Sequence, residues 1–205
     1  MANTTFSGPV RSENGFQMVS KNATTGTITV TSGNKMVNEA IASAGIEGTA
    51  AVYITQVERL KSDVTTNVNL VKTTIMIDLT GLRSTAAGDI IGKDGSGIAY
   101  IARVTTSDQG VVFGVTMQCL ETPAGGDPDI NLHSATEGTG VEDTPISNLT
   151  ETLIINSGDL TAGSLVAGGD IAADQYLYLT AGATTDADYT AGRILLTIFG
   201  YDVAS

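Results

Sequence analysis

The sequence predicts an all-β protein, a jelly-roll-like β-sandwich or barrel with an extended N-terminal arm. Three observations support this class. Thr, Val and Ile, which favour strands, are frequent, and Gly and Asp interrupt them with turns. Short segments in which apolar and polar residues alternate recur between the turns, and no segment has the composition of a long helix. The 205 residues, 41% of them hydrophobic, allow one buried core, which must be mainly aliphatic because Trp is absent.

The first 49 residues are predicted to form the extended arm, and residues 50–205 the sandwich domain. The arm is rich in Asn, Thr, Ser and Gly and has little apolar surface to offset the entropy lost on ordering. Within the arm, apolar and polar residues alternate at residues 27–31, which predicts a short strand. Residues 36–44 predict one or two helical turns.

From residue 50 onward, strand patterns alternate with turn-forming segments. The predicted strands of the body are residues 51–57, 67–79, 98–105, 110–121, 129–133, 151–156, 175–180 and 191–202. The short turn between the third and fourth of these strands predicts that they pair in antiparallel fashion. The number of strands suits the two sheets of a jelly roll, although spacing alone does not specify their order.

Charge is distributed unevenly along the chain. The net charge is −12 and the pI is about 4.2. Residues 1–120 hold nine acidic and nine basic residues, whereas residues 121–205 hold 13 acidic residues and one basic residue, Arg193. Binding to nucleic acid or to an anionic membrane needs clustered Lys and Arg, so we expect neither partner. The split fits a solvated acidic surface, or a neutral half that docks while the acidic half faces solvent.

We expect no enzyme and no cofactor, because the sequence lacks a recognisable catalytic pattern. His133 is the only histidine, and no GxSxG nucleophile elbow accompanies it. One His and one Cys are too few for a zinc site. Cys119 lies in an apolar run and is expected to be a buried, inert thiol. The GKDGSG segment, residues 92–97, lacks the spacing of a phosphate-binding loop and predicts a hairpin turn.

Carboxylates gather in the polar stretch after residue 121 and in the last long loop. Either a structural Ca²⁺ ion or simple solvation fits them. These residues are Asp127, Asp129, Glu137, Glu142, Asp143, Asp186 and Asp188.

Two tyrosines alternate with two leucines near the end of the chain. The period of two places Tyr176 and Tyr178 on one face of a strand, with Leu177 and Leu179 on the other. The tyrosines would suit packing in the core or at a subunit interface, or contact with a sugar.

Four segments together resemble virion structural proteins of tailed phages from marine bacteria. They are ANTTFSGPVRSENGFQ at the N-terminus, DIIGKDGSGIAYIARVTT from residue 89, CLETPAGGDPDINLHSATEGTGVEDT from residue 119, and QYLYLTAGATTDADYTAGRILLTIFGYD from residue 175. The resemblance implies a protein without catalytic residues that is present in many copies on the particle. It points to the capsid decoration, or cement, type, whose β-rich trimers sit between capsomers and extend terminal arms across neighbouring subunits.

The resemblance implies that the protein stabilises the expanded head from the outer surface of the capsid. The implied partners are the major capsid protein and further copies of the chain in a homotrimer. A head-fibre or tail structural protein, or a carbohydrate- or Ca²⁺-binding adhesion module, remains an alternative. The N-terminus lacks a signal-peptide pattern, so we expect synthesis in the host cytoplasm.

Candidate contact residues follow from the charge split and from the resemblance. The candidates for contact with the capsid are Phe6, Arg11, Phe16, Arg59, Lys61, Lys72, Arg83 and Arg103. The candidates for the subunit interface are Tyr176 and Tyr178.

Overall fold

The computed structural model describes residues 18–21, 28–32, 52–61 and 68–203 with the exception of residue 96, and their side chains from residue 70 to residue 201. The chain divides into two compact units, Met1–Met36 and Val37–Ser205. We expected a boundary after residue 49, and residues 33–51 lie outside the described part of the chain. The helical turns expected at residues 36–44 lie there as well.

The first unit contains an antiparallel hairpin. It consists of β1 (Met18–Lys21) and β2 (Ile28–Ser32). The strand predicted at residues 27–31 is confirmed as β2. Its partner β1 was not predicted, because its four residues show no sustained alternation.

The second unit consists almost entirely of strands. They are β3 (Val52–Lys61), β4 (Val68–Asp78), β5 (Arg83–Ser84), β6 (Ala102–Arg103), β7 (Val111–Ala124), β8 (Ile130–Ala135), β9 (Glu151–Ile155), β10 (Leu165–Gly168), β11 (Tyr176–Ala181), β12 (Ala187–Asp188) and β13 (Ala191–Val203). One short helix, α1 (Thr106–Gln109), and one 3₁₀ turn (Ile146–Asn148) complete its described elements. None of the helices in the described residues is long and apolar enough to cross a membrane.

The strands form two main antiparallel sheets. The five-stranded sheet has the order β10-β7-β13-β4-β3, and the four-stranded sheet has the order β6-β11-β8-β9. A small third sheet pairs β12 with β5. The predicted all-β class is confirmed.

The two main sheets enclose one aliphatic core. The inward side chains of β4, β7 and β13 pack with those of β8 and β11; Ile75, Met117, Leu132, Leu179 and Leu196 are all at most 2% exposed. Burying one such side chain contributes about 1.5–3 kcal/mol to the free energy of folding. This core therefore supplies most of the hydrophobic stabilisation of the fold. The core thus relies on aliphatic side chains, as the composition predicted.

A smaller cluster lies on the opposite face of β11. It consists of Ile90, Ala99, Ala135, Ile146 and Tyr178, and we call it the Tyr178 cluster. Backbone hydrogen bonds from Ala99 to Gly140 (2.8 Å) and from Ile90 to Thr144 (3.0 Å) hold its covering segments together. Both faces of the four-stranded sheet are therefore covered near β11.

The prediction that residues 98–105 pair with residues 110–121 is wrong. Only Ala102–Arg103 of the first segment forms a strand, and it pairs with β11. The second segment, β7, pairs instead with β10 and β13. The apolar run at 98–105 reflects burial against β11 and the Tyr178 cluster, because hydrophobicity reports burial and not the pairing partner.

Candidate interaction surfaces

The outer face of the five-stranded sheet ends in an exposed apolar surface, which we call the aromatic end. Its members come from three adjacent strands: Leu70, Val111, Phe113, Phe199 and Tyr201. Leu70 and Val111 are each 49% exposed and Phe113 is 54% exposed. The Phe113 ring lies 6.4 Å from the rings of both Phe199 and Tyr201, and Tyr201 is the register partner of Leu70 and Val111. These side chains therefore form one contiguous surface.

The same face becomes polar with distance from the aromatic end. A row of threonines crosses its middle, where Thr197 pairs in register with Thr74 and Thr116. At the far end, Arg193 lies 3.5 Å from Asp78 and 3.7 Å from Glu121. The face thus concentrates its aromatic side chains at one end, and the exposed Leu165, the register partner of Gln118, adds an apolar side chain farther along it.

The basic residues predicted to contact the capsid have different surroundings. Lys72 is exposed and is the register partner of Phe199, next to the aromatic end. Arg83 instead binds Asp186 at 2.7 Å and Asp188 at 3.1 Å.

Arg103 has partners within its own chain as well. Its guanidinium binds Asp174 at 2.9 Å and lies 5.5 Å from the centre of the Tyr176 ring. The carboxylates that pair with Arg83 and Arg103 all come from the acidic half of the chain. Arg83 and Arg103 therefore already have acidic partners within the chain, and their contact with the capsid stays a prediction.

The remaining predicted contact residues lie outside what the structure describes. Phe6, Arg11 and Phe16 precede the first described residue, and Arg59 and Lys61 belong to β3, of which only the backbone is described.

The charge split along the sequence does not separate two faces of the molecule. β13, from the acidic half, lies between β4 and β7, from the neutral half. The idea that one half docks while the other faces solvent is therefore wrong in that simple form, because the strands of the two halves interleave.

Tyr178 cannot be the interface residue that we expected. Its side chain is fully buried by residues of its own chain. The hydroxyl donates to the Glu137 carbonyl (2.8 Å) and accepts from the Gly140 N–H (3.1 Å). Burial raises the pKa of Tyr178. Tyr176 is partly exposed and packs edge-on against Tyr100, with ring centres 5.0 Å apart.

Three glycines let tyrosine rings lie directly on the backbone. A Cβ atom added at Gly126, Gly138 or Gly140 would lie within 2.7 Å of the ring of Tyr189, Tyr176 or Tyr178, respectively. The sequence pattern alone does not single out these glycines. The one available signal was the matching spacing of Gly138-x-Gly140 and Tyr176-x-Tyr178.

Asp127 is the centre of a buried polar network. It is 1% exposed, and its carboxylate accepts from the backbone N–H groups of Ala183 (2.6 Å) and Asp129 (3.1 Å). Its own N–H donates to Ser84 Oγ at 2.9 Å, and its carbonyl accepts from the Tyr189 hydroxyl at 2.7 Å. Asp127 therefore joins its own turn to β5 and to the segment between β11 and β13.

Several of the carboxylates that suggested calcium have other partners. Asp186 and Asp188 bind Arg83, and Glu137 accepts from the N–H and the hydroxyl of Thr150, both at 2.8 Å. Within the described residues, no three His, Cys, Asp or Glu side chains come together as a metal site.

His133 and Cys119 take structural positions. His133 is 9% exposed, and its Nδ1 lies 2.8 Å from Glu151 Oε2. The fully buried Cys119 thiol donates to the Glu121 carbonyl at 3.2 Å, and burial raises its pKa. A raised thiol pKa disfavours the reactive thiolate.

No family model, curated protein or solved structure matches this chain.

Glu142 is a buried carboxyl group with an unpartnered oxygen. The residue is 7% exposed, and Oε1 has no hydrogen-bond partner among the described residues. Burial is the main cause that raises the pKa of Glu142, and the carboxylates of Asp143 and Asp94 add to it, while Arg83 opposes it. Because the folded state binds this proton more tightly, stability should fall as pH rises from the ordinary pKa through the raised one.

We therefore expect Glu142→Gln to stabilise the protein at neutral pH. The amide keeps the shape but carries no charge, so Tm should rise by a few degrees at pH 7 and change little below pH 4.5, the ordinary pKa of a glutamate. Thermal unfolding from pH 4 to pH 8 measures the difference. Glu121→Gln, at a half-exposed carboxylate, serves as the control. A gain that does not grow with pH would contradict this account of Glu142.

Proposed function

We propose that this protein is a structural component of a tailed-phage particle, a capsid decoration protein that binds between capsomers and stabilises the expanded head. The observation that carries the proposal is the aromatic end of the five-stranded sheet. Monomeric proteins rarely leave a contiguous aromatic and aliphatic surface exposed unless it contacts a partner. Aromatic side chains also dominate the binding energy of protein interfaces. The sequence resemblance to marine phage virion proteins supplies the nature of that partner.

We also infer that the sandwich is a jelly roll. Without β3, the sheets have the orders β4-β13-β7-β10 and β6-β11-β8-β9, which set the first of these eight strands beside the last. The chain changes sheet at every step except between β8 and β9. Two facing four-stranded sheets connected in this way support the jelly-roll assignment. The fold is common among viral capsid and lectin domains, so it agrees with a virion role without identifying one.

The proposed mechanism is preferential binding to the mature shell. A protein that binds only the expanded form stabilises it in proportion to the logarithm of ligand concentration over Kd. Assembly as a homotrimer would add avidity at three-fold positions of the shell. The aromatic end would contact the major capsid protein, with Lys72 at its border.

The test combines cryo-electron microscopy with a binding assay. Purified protein is mixed with expanded, undecorated heads, and density is expected between capsomers, with the aromatic end facing the shell. Phe113→Asp should weaken binding at least about tenfold, which corresponds to about 1.4 kcal/mol. Leu153→Asp is the matched control, because Leu153 is similarly exposed (47%) but lies on the four-stranded sheet.

Two outcomes would overturn the proposal. Bare heads, with the protein bound at the tail or at a fibre, would favour the other virion roles. Undiminished binding by Phe113→Asp would remove the aromatic end as the docking surface.

A further inference from the structure

A polar cleft lies where the four-stranded sheet extends beyond the main core. Along the inner face of β8 and β9, the register pair Leu132–Ile155 is followed by the pair Ser134–Thr152. The first pair is buried in the core, whereas the second lines a cavity of about 270 Å³. The inner face of the sheet therefore changes from aliphatic to hydroxyl-bearing side chains at this point.

The lining combines neutral polar groups with an apolar surface of similar extent. The residues that line the cleft are Ser134, Thr136, Thr150, Thr152, Ile154, Asp170, Ala172 and Gln175. None of these residues is basic, so the cleft offers no charge to hold an anion. Asp170 is the single carboxylate among them, which is too few for a tightly held cation.

Part of the rim is fixed before any ligand binds. The Thr150 hydroxyl donates to Glu137 Oε1 at 2.8 Å, and the Thr150 N–H donates to Glu137 Oε2 at 2.8 Å. These hydrogen bonds lower the pKa of Glu137, so the carboxylate stays ionised. Because the Thr150 hydroxyl already donates its proton to Glu137, its oxygen can only accept a hydrogen bond from a ligand. A fixed polar group of this kind reduces the entropy lost on binding.

We infer that this cleft binds a neutral, hydroxyl-rich ligand, a single sugar ring or the terminal sugar of a glycan. Sugar hydroxyls donate and accept, as do the hydroxyls of Ser134 and Thr152, and the Gln175 amide adds both kinds of group. Ile154 and Ala172 can contact the C–H face of a sugar ring. Sites for drug-sized ligands occupy about 300–1,000 Å³, so a cavity of about 270 Å³ suits one ring.

The cleft is separate from the docking surface of the proposed function. The aromatic end lies on the outer face of the five-stranded sheet, and the cleft lies at β8 and β9 of the four-stranded sheet. Sugar binding therefore does not depend on capsid binding, and either one can fail without the other.

The test is a titration followed by two-dimensional NMR of the full chain. The probes are glucose, galactose, mannose and N-acetylglucosamine, each up to 100 mM, with glucose 6-phosphate as the charged comparison. At least one neutral sugar should give saturable shifts at the amides of Ser134, Thr152 and Gln175. The phosphate should bind more weakly than glucose.

Variants distinguish the cleft from the rest of the surface. Thr152→Val keeps the shape of the side chain but removes its hydroxyl. It should weaken sugar binding at least about fivefold, while the NMR spectrum stays that of a folded protein. Thr116→Val, a threonine on the other sheet, is the matched control and should bind as the wild type does. The inference is overturned if no neutral sugar saturates, if the shifts map elsewhere, or if Thr152→Val binds unchanged.

Discussion

Asp127→Ala is expected to lower the free energy of unfolding by about 2–4 kcal/mol. The substitution removes the acceptor of two backbone N–H groups, those of Ala183 and Asp129. A buried donor left without an acceptor costs about 1–3 kcal/mol. The backbone carbonyl at position 127 is kept in the variant, so the hydrogen bond from the buried Tyr189 hydroxyl does not contribute to this loss.

Urea denaturation measures this effect as a lower midpoint at unchanged m-value. The matched control is Asp159→Ala, which removes an exposed carboxylate from the same region and should change stability by no more than about 0.5 kcal/mol. Equal effects of the two substitutions would show that the Asp127 network contributes nothing specific. That result would reopen the interpretation of Asp127 as a solvated carboxylate.

The Asp127 network shows why the sequence reveals strands more readily than polar networks. The alternation that predicted residues 67–79 and 191–202 follows from local geometry, since every second side chain of β4 and β13 enters the core. Three partners of Asp127, by contrast, are distant in sequence: Ser84, Ala183 and Tyr189 lie 43 to 62 residues away. The GGDPD segment, residues 125–129, has the composition of an ordinary turn. Its place in a polar network is evident only once the distant groups are positioned beside it.

Short edge strands were equally hard to predict. β10 has four residues, and its Leu165 is 63% exposed, so no apolar period marks it as a strand. β10 pairs with β7 at the edge of the five-stranded sheet, across about 40 residues of intervening chain, and local sequence does not specify that pairing. The aromatic end was missed for a similar reason. Val111 and Tyr201 lie 90 residues apart in sequence and become neighbours only through the register of β7 and β13.

Tyr178→Ala is expected to cost about 3–5 kcal/mol of stability, the usual range for truncating a buried aromatic residue. The ring fills the centre of the Tyr178 cluster, and its hydroxyl bonds to Glu137 and Gly140. Tyr178→Phe keeps the ring and should cost only about 1–2 kcal/mol, because it leaves the Gly140 N–H and the Glu137 carbonyl without their partner. Tyr176→Ala, at a partly exposed ring, should cost less than Tyr178→Ala.

Thermal unfolding at several protein concentrations separates the two roles considered for Tyr178. A residue that acts within one chain gives the same loss of Tm at every concentration, whereas loss of a subunit contact makes Tm depend on concentration through mass action. We expect the loss of Tm caused by Tyr178→Ala to be independent of concentration. If the loss of Tm instead changes with protein concentration, Tyr178 would be linked to assembly despite its burial. The covering segments around it would then have to open when subunits associate.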